Sequence, residues 1–161
     1  MLSNLTITQR TISMKPSIGL CIHQLSRLWR SVLDQELATL GLTQTTGVAL
    51  VYIHAEGEGI AQTELARILA VEHPSLVRTL DQLVKLELIE RRACQDDRRS
   101  KRLFLTEKGK ALVEPVNTVR ERCQLQVMQG LSEDQATQFQ HTLNLLQSNA
   151  LALTERSKNP T

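Results

Sequence analysis

The sequence predicts a mainly α-helical protein with one small β-hairpin, and three observations lead to this expectation. Apolar residues recur at the helical period in six stretches, which predicts six helices. A short, strongly charged segment lies between two short apolar runs and predicts the hairpin. Aromatic residues are limited to one Trp, one Tyr and two Phe, so we expect an aliphatic core.

Length and composition are typical of a small globular protein. The 161 residues suit one domain or two small lobes with a common core. No apolar run approaches the roughly 20 residues that span a membrane, and the N-terminus lacks the pattern of a secretory signal. Three scattered cysteines without a C-x-x-C pair fit a reducing compartment better than a disulfide or zinc framework. We therefore expect a cytoplasmic protein without a metal or other cofactor.

The first two predicted helices follow a segment without periodicity. Residues 1–15 are expected to form a flexible tail. Pro16-Ser17 opens a long amphipathic helix, which Gly41 ends as a C-cap. Thr43 is the predicted N-cap of the second helix, which the Gly-rich segment 56–59 breaks.

Two shorter helices, joined by a tight turn, come next. The first covers residues 62–70, and Pro74 opens the second at a position where its missing N–H costs nothing. The buried face of this fourth helix is predicted to comprise Leu76, Val77, Leu80, Leu83 and Val84. Its exposed face is predicted to comprise Ser75, Arg78, Thr79, Gln82 and Lys85.

The charged segment lies between predicted strands at residues 88–92 and 102–105. From Arg91 to Arg102 there are six basic and two acidic residues, a sum of +4, whereas the whole chain is +2 and the remainder therefore −2. Such a local positive charge indicates a surface for an anionic partner, most simply a nucleic-acid backbone. A solvated charge run is the alternative, but it does not explain the flanking apolar strands.

The last two helices are predicted from their caps and their apolar spacing. Thr106 caps the fifth helix, in which Pro115 predicts a kink, and Gly130 ends it. The segment 132–135 is a capping box for the sixth helix. Apolar residues follow it at alternating spacings of 3 and 4, typical of a coiled-coil seam: Ala136, Phe139, Leu143, Leu146, Ala150 and Leu153. This seam needs a partner from a second subunit, or alternatively from a bundle within the chain.

Two short helices followed by a basic hairpin indicate a winged helix-turn-helix, in which the second helix enters the major groove of DNA. On that helix Arg78 can donate two hydrogen bonds to a guanine. An arginine at the tip of the hairpin, such as Arg99, can enter the minor groove, and Asp97 is spaced to orient it. An amphipathic helix with a solvated polar face is the alternative interpretation.

Two motifs resemble those of the MarR family of transcription regulators. The pattern Asp97-x-Arg99-x3-Leu103-x-Leu105-Thr106-x2-Gly109 is similar to the wing signature of that family. Residues 74–83, followed by Leu88-Ile89-x-Arg91, resemble its recognition helix, with the SlyA branch most similar. The resemblance covers about residues 16–155. It departs from the family at Ala61, where a Ser or Thr cap is usual, and at Gly47, where close relatives often have a bulkier residue.

The resemblance implies a dimeric transcription regulator and not an enzyme. Residues 16–42 and 106–155 would form a helical dimerisation region, residues 43–105 the DNA-binding region, and residues 156–161 a C-terminal tail. The homodimer would bind a pseudo-palindromic double-stranded DNA operator, with the recognition helix 74–87 in the major groove and the wing 91–102 in the minor groove. The implied DNA contacts are Ser75, Arg78, Thr79, Gln82, Arg98, Arg99, Lys101 and Arg102, with Asp97 orienting Arg99.

The resemblance also implies a small phenolic or aromatic carboxylate effector, bound between the dimer lobe and the DNA-binding lobe. Residues expected to face such a crevice are Arg30, Thr45, Val48 and His54. Ordinary structural roles are the alternative: Val48 and His54 in the core, and Arg30 in a salt bridge.

Three other functions remain open from the sequence. Redox sensing could act through Cys94, because Arg91 and Arg92 nearby favour its thiolate; Cys21 and Cys123 are expected to be small buried residues. An enzyme is disfavoured, since the four histidines form no H-x-x-x-H pair and no G-x-S-x-G motif occurs. The winged helix could also serve as a protein-interaction adaptor that does not bind DNA.

Overall fold

A computed structural model describes residues 17–57, 59–93 and 101–158 of the chain. The elements in these ranges are, in order, α1 (Ile18–Leu37), a 3-10 turn (Ala38–Leu40), α2 (Gln44–Ala55), β1 (Ile60–Ala61), α3 (Gln62–Leu69), α4 (His73–Lys85), β2 (Ile89–Ala93), β3 (Lys101–Leu105), α5 (Glu107–Val127) and α6 (Glu133–Lys158). This mainly α architecture with a small β component confirms the predicted fold class.

The three strands form one antiparallel sheet in the order β1-β3-β2. Ile89 pairs with Leu105 and Ala93 with Lys101, which makes β2 and β3 a regular hairpin. On the other edge, Ile60 of β1 pairs with Leu103. Strand β1 was not predicted from the sequence, because a strand of two residues is too short to show alternation.

The core is aliphatic, as predicted, and α2 lies at its centre. Leu37, Leu50, Leu80, Leu103 and Val116 come from five different elements and are all fully buried. Helix α2 packs against α1 and α5 on one side and against α3, α4 and β3 on the other. It therefore connects the long helices to the smaller lobe that carries the sheet.

Three predicted helix caps are present. Thr43 forms a capping box with Thr46 at the start of α2, and Thr106 accepts a hydrogen bond from the Gly109 N–H at the start of α5. The segment 132–135 caps α6 through two reciprocal bonds of 2.9 and 3.2 Å. One further cap was not predicted: Asp34 Oδ1 accepts a hydrogen bond from the Gln44 N–H at 2.6 Å, so that a residue of α1 caps α2.

Several boundaries differ from the predicted ones by one to three residues. Helix α4 begins at His73, so Pro74 lies within its first turn. Helix α5 is continuous through Pro115 and ends at Val127, before Gly130. Helix α6 continues to Lys158, past the predicted start of the C-terminal tail. The predicted N-terminal tail, residues 1–15, lies outside the described residues.

Helix α6 and the first half of α1 carry exposed apolar side chains. On α6 these include Phe139, 43% exposed, and Leu146, 41% exposed, both from the predicted seam. Within the described part of the chain, α6 makes no extensive contact with another element. Among the described residues, the seam therefore has no extensive intramolecular partner. None of the described helices combines the length and apolarity that crossing a bilayer requires.

Candidate nucleic-acid interface

Helix α4 presents a polar face to solvent and an apolar face to the core. Leu76, Leu80 and Leu83 are buried, whereas Ser75, Arg78 and Gln82 lie on the opposite side. Among the described residues, Arg78 has neither an ion pair nor a hydrogen-bond partner for its side chain. Its guanidinium is therefore available for a partner outside the chain.

The predicted faces of α4 need three corrections. Thr79 is 7% exposed, and its hydroxyl donates to the Ser75 carbonyl at 3.1 Å, so it does not lie on the exposed face. Val77 is half-buried and Val84 is exposed, although both were predicted to be buried. These differences arise because the buried stripe of α4 is narrower than predicted. It consists of positions 76, 79, 80 and 83, so it includes Thr79 and leaves Val77 and Val84 at its margins.

Two arginines of the charged segment are engaged within the fold. Arg92 and Arg102 are paired across β2 and β3, where two like charges repel each other. Arg92 binds Glu90 at 2.9 Å and lies 4.4 Å above the centre of the Phe104 ring. Arg102 donates to the Gly59 carbonyl at 2.7 Å. Part of the positive charge that predicted an anionic partner therefore stabilises the base of the hairpin.

A third arginine of this segment, Arg91, faces the opposite side of the sheet. Its Nη1 lies 2.7 Å from Asp81 Oδ1, and its Nη2 donates to the Val77 carbonyl at 3.3 Å. It therefore ties β2 to α4. From the sequence, Arg91 was interpreted as part of a charge run, although strand alternation puts it on the inner face with Ile89.

The remaining hairpin residues divide between described and undescribed positions. Lys101 begins β3 and is exposed. Cys94, Asp97, Arg98 and Arg99 lie outside the described residues, and so does the predicted orienting bond between Asp97 and Arg99.

The end of the predicted signature, Thr106 and Gly109, fixes the junction between the hairpin and α5. The Thr106 N–H donates to the Leu88 carbonyl at 3.1 Å, and its hydroxyl donates to the Glu87 carbonyl at 2.7 Å. A Cβ at Gly109 would lie 2.0 Å from the Leu88 oxygen. Only glycine allows this approach, which explains why the signature ends with that residue.

A crevice of about 580 Å³ lies between α1, the start of α2 and α4. Three of the four predicted effector residues line it, namely Arg30, Thr45 and Val48. The polar residues on the outer face of α4 line it too: Ser75, Arg78 and Gln82. The same space therefore borders both the predicted effector site and the predicted base-contacting face.

His54 does not belong to that crevice. It is exposed, which also excludes the core role, and it lines a separate crevice of about 480 Å³ beside Arg92 and Phe104. The reason is its place in the last turn of α2, more than two turns from Thr45.

The cysteines differ in exposure. Cys123 is 1% exposed, as predicted; burial raises the pKa of its thiol, and the nearby Glu36 carboxylate acts in the same direction. Cys21 is exposed, so its prediction as a buried residue is wrong. In the described ranges, no group of His, Cys, Asp and Glu side chains is arranged to hold a metal ion.

Comparisons with known proteins agree with this geometry. A sequence model of the MarR family matches residues 40–100. The crystal structure of the transcriptional regulator PA3341 is 32% identical, with 84% of this chain and 99% of that chain covered and a TM-score of 0.74. The transcriptional regulator SlyA is 26% identical over 84% of this chain and 94% of its own, with a TM-score of 0.77. A mutant of MarR from E. coli, in complex with operator DNA, is 25% identical over 80% of this chain and 91% of its own, with a TM-score of 0.74.

Proposed function

The chain belongs to the MarR family of transcription regulators, which are not enzymes, and we propose that it binds a pseudo-palindromic DNA operator as a homodimer. The observation that carries this proposal is the outer face of α4, where the Arg78 guanidinium has no partner in the described chain. The complex of E. coli MarR with operator DNA supports it, since that protein is similar in fold and sequence. The likeness to SlyA supports a place in the SlyA-like branch.

In this proposal, α4 lies in the major groove and reads the bases. Arg78 donates two parallel hydrogen bonds to one guanine, a pairing worth ~1–3 kcal/mol of discrimination. Ser75 and Gln82, on the same outer face, contact neighbouring bases or phosphates. Thr79 supports the helix from its buried side through its bond to the Ser75 carbonyl.

The hairpin acts as a wing along the adjacent minor groove. Arg99 is proposed to enter the groove, where the negative potential is strongest, with Asp97 holding its guanidinium. Lys101 and Arg98 serve the phosphate backbone. Arg102 contributes mainly to the fold, since its guanidinium binds the Gly59 carbonyl.

The proposed dimer forms through α6 and the first half of α1. Both carry exposed apolar side chains that no element of the described chain covers. A two-fold axis would place two copies of α4 about 34–36 Å apart, one turn of DNA, which is why the operator should be a pseudo-palindrome.

The DNA contacts are tested with Arg78→Ala and Arg99→Ala. We expect each change to weaken binding by ~2–6 kcal/mol, at least about 30-fold, because the dimer loses the contact twice. Affinity is measured by fluorescence anisotropy on a duplex that the wild-type protein selects from a random-sequence library. Arg120→Ala removes the same charge from α5 and should leave affinity unchanged.

Wild-type affinity in both variants would contradict this assignment of contacts. The salt dependence of wild-type binding separates DNA recognition from the adaptor alternative. A DNA-binding protein should lose affinity steeply with salt, with a logarithmic slope of about −0.9 per neutralised phosphate. Absence of duplex binding at low salt would favour the adaptor.

We further propose that a small aromatic carboxylate occupies the crevice lined by Arg30, Thr45 and Val48. The Arg30 guanidinium supplies the charge for the carboxylate, and Val48 supplies an apolar contact. Because Arg78 and Gln82 line the same crevice, a bound acid would oppose DNA binding. We expect hydroxybenzoates to lower the operator affinity of the wild type, and Arg30→Ala to reduce that effect about tenfold or more. Operator affinity that is indifferent to these acids would exclude the effector.

A further inference from the structure

The side chain of Arg91 joins the wing to α4 at two points. Its guanidinium binds the Asp81 carboxylate at 2.7 Å and the Val77 carbonyl at 3.3 Å. Val77 and Asp81 are one helical turn apart and therefore lie on the same side of α4. One guanidinium thus contacts α4 at two points on the same side of the helix.

The Arg91 side chain lies on the inner face of the sheet. It stands opposite Leu103, which is fully buried. The Arg91 side chain is only 21% exposed, whereas Asp81 is 58% exposed. Arg92, the next residue on the strand, points to the other face and binds Glu90. The Arg91 guanidinium therefore contacts α4 and has little of its surface left for a contact with DNA.

We propose that Arg91 and Asp81 are positioning residues, which together set the angle between α4 and the wing. This inference rests on the proposed function, because the angle matters only if one duplex contacts both elements. Arg78 and Gln82 each follow one of the two clamped positions on α4, so any rotation of the helix would move both of them. Base contacts depend on such geometry, whereas attraction to phosphates depends mainly on charge.

We call the Arg91 side chain, with its two contacts to Asp81 and Val77, the clamp. Its positioning role is tested with Arg91→Lys and Asp81→Ala. Lysine keeps the positive charge but lacks the planar fork that reaches two acceptors at once. Alanine is a good helix former at an exposed position, so α4 should stay intact. Arg92→Lys is the matched control, since it makes the same change on the same strand but on the opposite face of the sheet.

Affinity is measured for the library-selected duplex and for a shuffled duplex of the same length and composition. We expect Arg91→Lys and Asp81→Ala to weaken binding of the selected duplex about tenfold or more, with no loss of affinity for the shuffled one. Charge alone predicts the opposite for Asp81→Ala, since removal of an acidic group should tighten binding to both duplexes. Urea unfolding of each variant verifies that the fold is retained, and Arg92→Lys should bind both duplexes as the wild type does.

Three results would overturn the proposal, and they differ from one another. If Arg91→Lys and Asp81→Ala distinguish the selected duplex from the shuffled one as well as the wild type does, the clamp does not position α4. Equal losses on both duplexes in Arg91→Met, with a salt slope reduced by about 0.9 per lost contact, would make Arg91 a phosphate ligand. A wild-type protein that selects no duplex from the random-sequence library would refute the proposed function itself, and this inference with it.

Discussion

At the scale of single residues, Gly109 has the least room for a side chain among the described glycines. Its α-carbon approaches the Leu88 carbonyl so nearly that a methyl group would lie 2.0 Å from that oxygen. The neighbouring Thr106 binds the same segment through its N–H and its hydroxyl. Together, these two residues attach α5 to the turn between α4 and β2, where Glu87 adopts a positive φ of 59°.

Gly109→Ala should therefore destabilise the protein strongly. We expect a loss of ~1–3 kcal/mol or more in the free energy of unfolding, because the Leu88 backbone has to move to admit the methyl group. Gly19→Ala is the control. Gly19 lies in the first turn of α1, where one subunit has no atom within 4 Å of the added Cβ, so its replacement should destabilise the protein far less. Both values follow from urea denaturation, and equal effects of the two changes would contradict this account.

The arginines show why residue roles are hard to read from charge alone. Arg91, Arg92 and Arg102 looked alike in the sequence, yet each binds a different partner within the chain. Those partners come from α4, from the same strand and from the segment before β1, and only the tertiary fold brings the distant ones close. Arg78, by contrast, was correctly predicted to lie on the outer face of its helix, because helical periodicity alone determines its direction.

At the scale of elements, α6 stands apart from the rest of the described chain. It carries an apolar stripe, and no other described element covers it to any extent. A surface of this kind on a long helix is typical of an interface between subunits. The heptad-like spacing that predicted a seam is therefore matched by exposed side chains at Phe139 and Leu146.

Leu146→Glu tests the role of this stripe. In the proposed dimer the change buries a carboxylate at an apolar contact in both subunits, so we expect the dimer dissociation constant to rise about tenfold or more. Gln147→Glu introduces the same charge one residue along, off the stripe, and should leave the dimer intact. Sedimentation velocity over a dilution series measures both. A Leu146→Glu protein that dimerises like the wild type would exclude α6 as the interface.

At the scale of the whole molecule, local signals predicted most of the fold. The starts of α2, α5 and α6 followed from Thr43, Thr106 and the capping box at 132–135, because a cap needs only its own next turn. The two-residue β1 and the Asp34 cap of α2 were missed, since both depend on partners that folding brings together. Likewise, the sequence predicted three residues of one crevice correctly but could not separate His54 from them.

The pairing of β1 with β3 has a consequence for how the molecule is made. Ile60 pairs with Leu103. The strand pairing therefore closes a loop of chain that includes α3 and α4. Contacts between positions so distant in sequence are expected to form late in folding, because closing the loop costs conformational entropy before these contacts can stabilise the fold. During synthesis, the pairing of β1 with β3 cannot form until β3 has left the ribosome. In the proposed function, a nascent chain that stops before Lys101 should therefore hold helices but lack the complete sheet against which α3 and α4 pack, and it should not yet bind the operator.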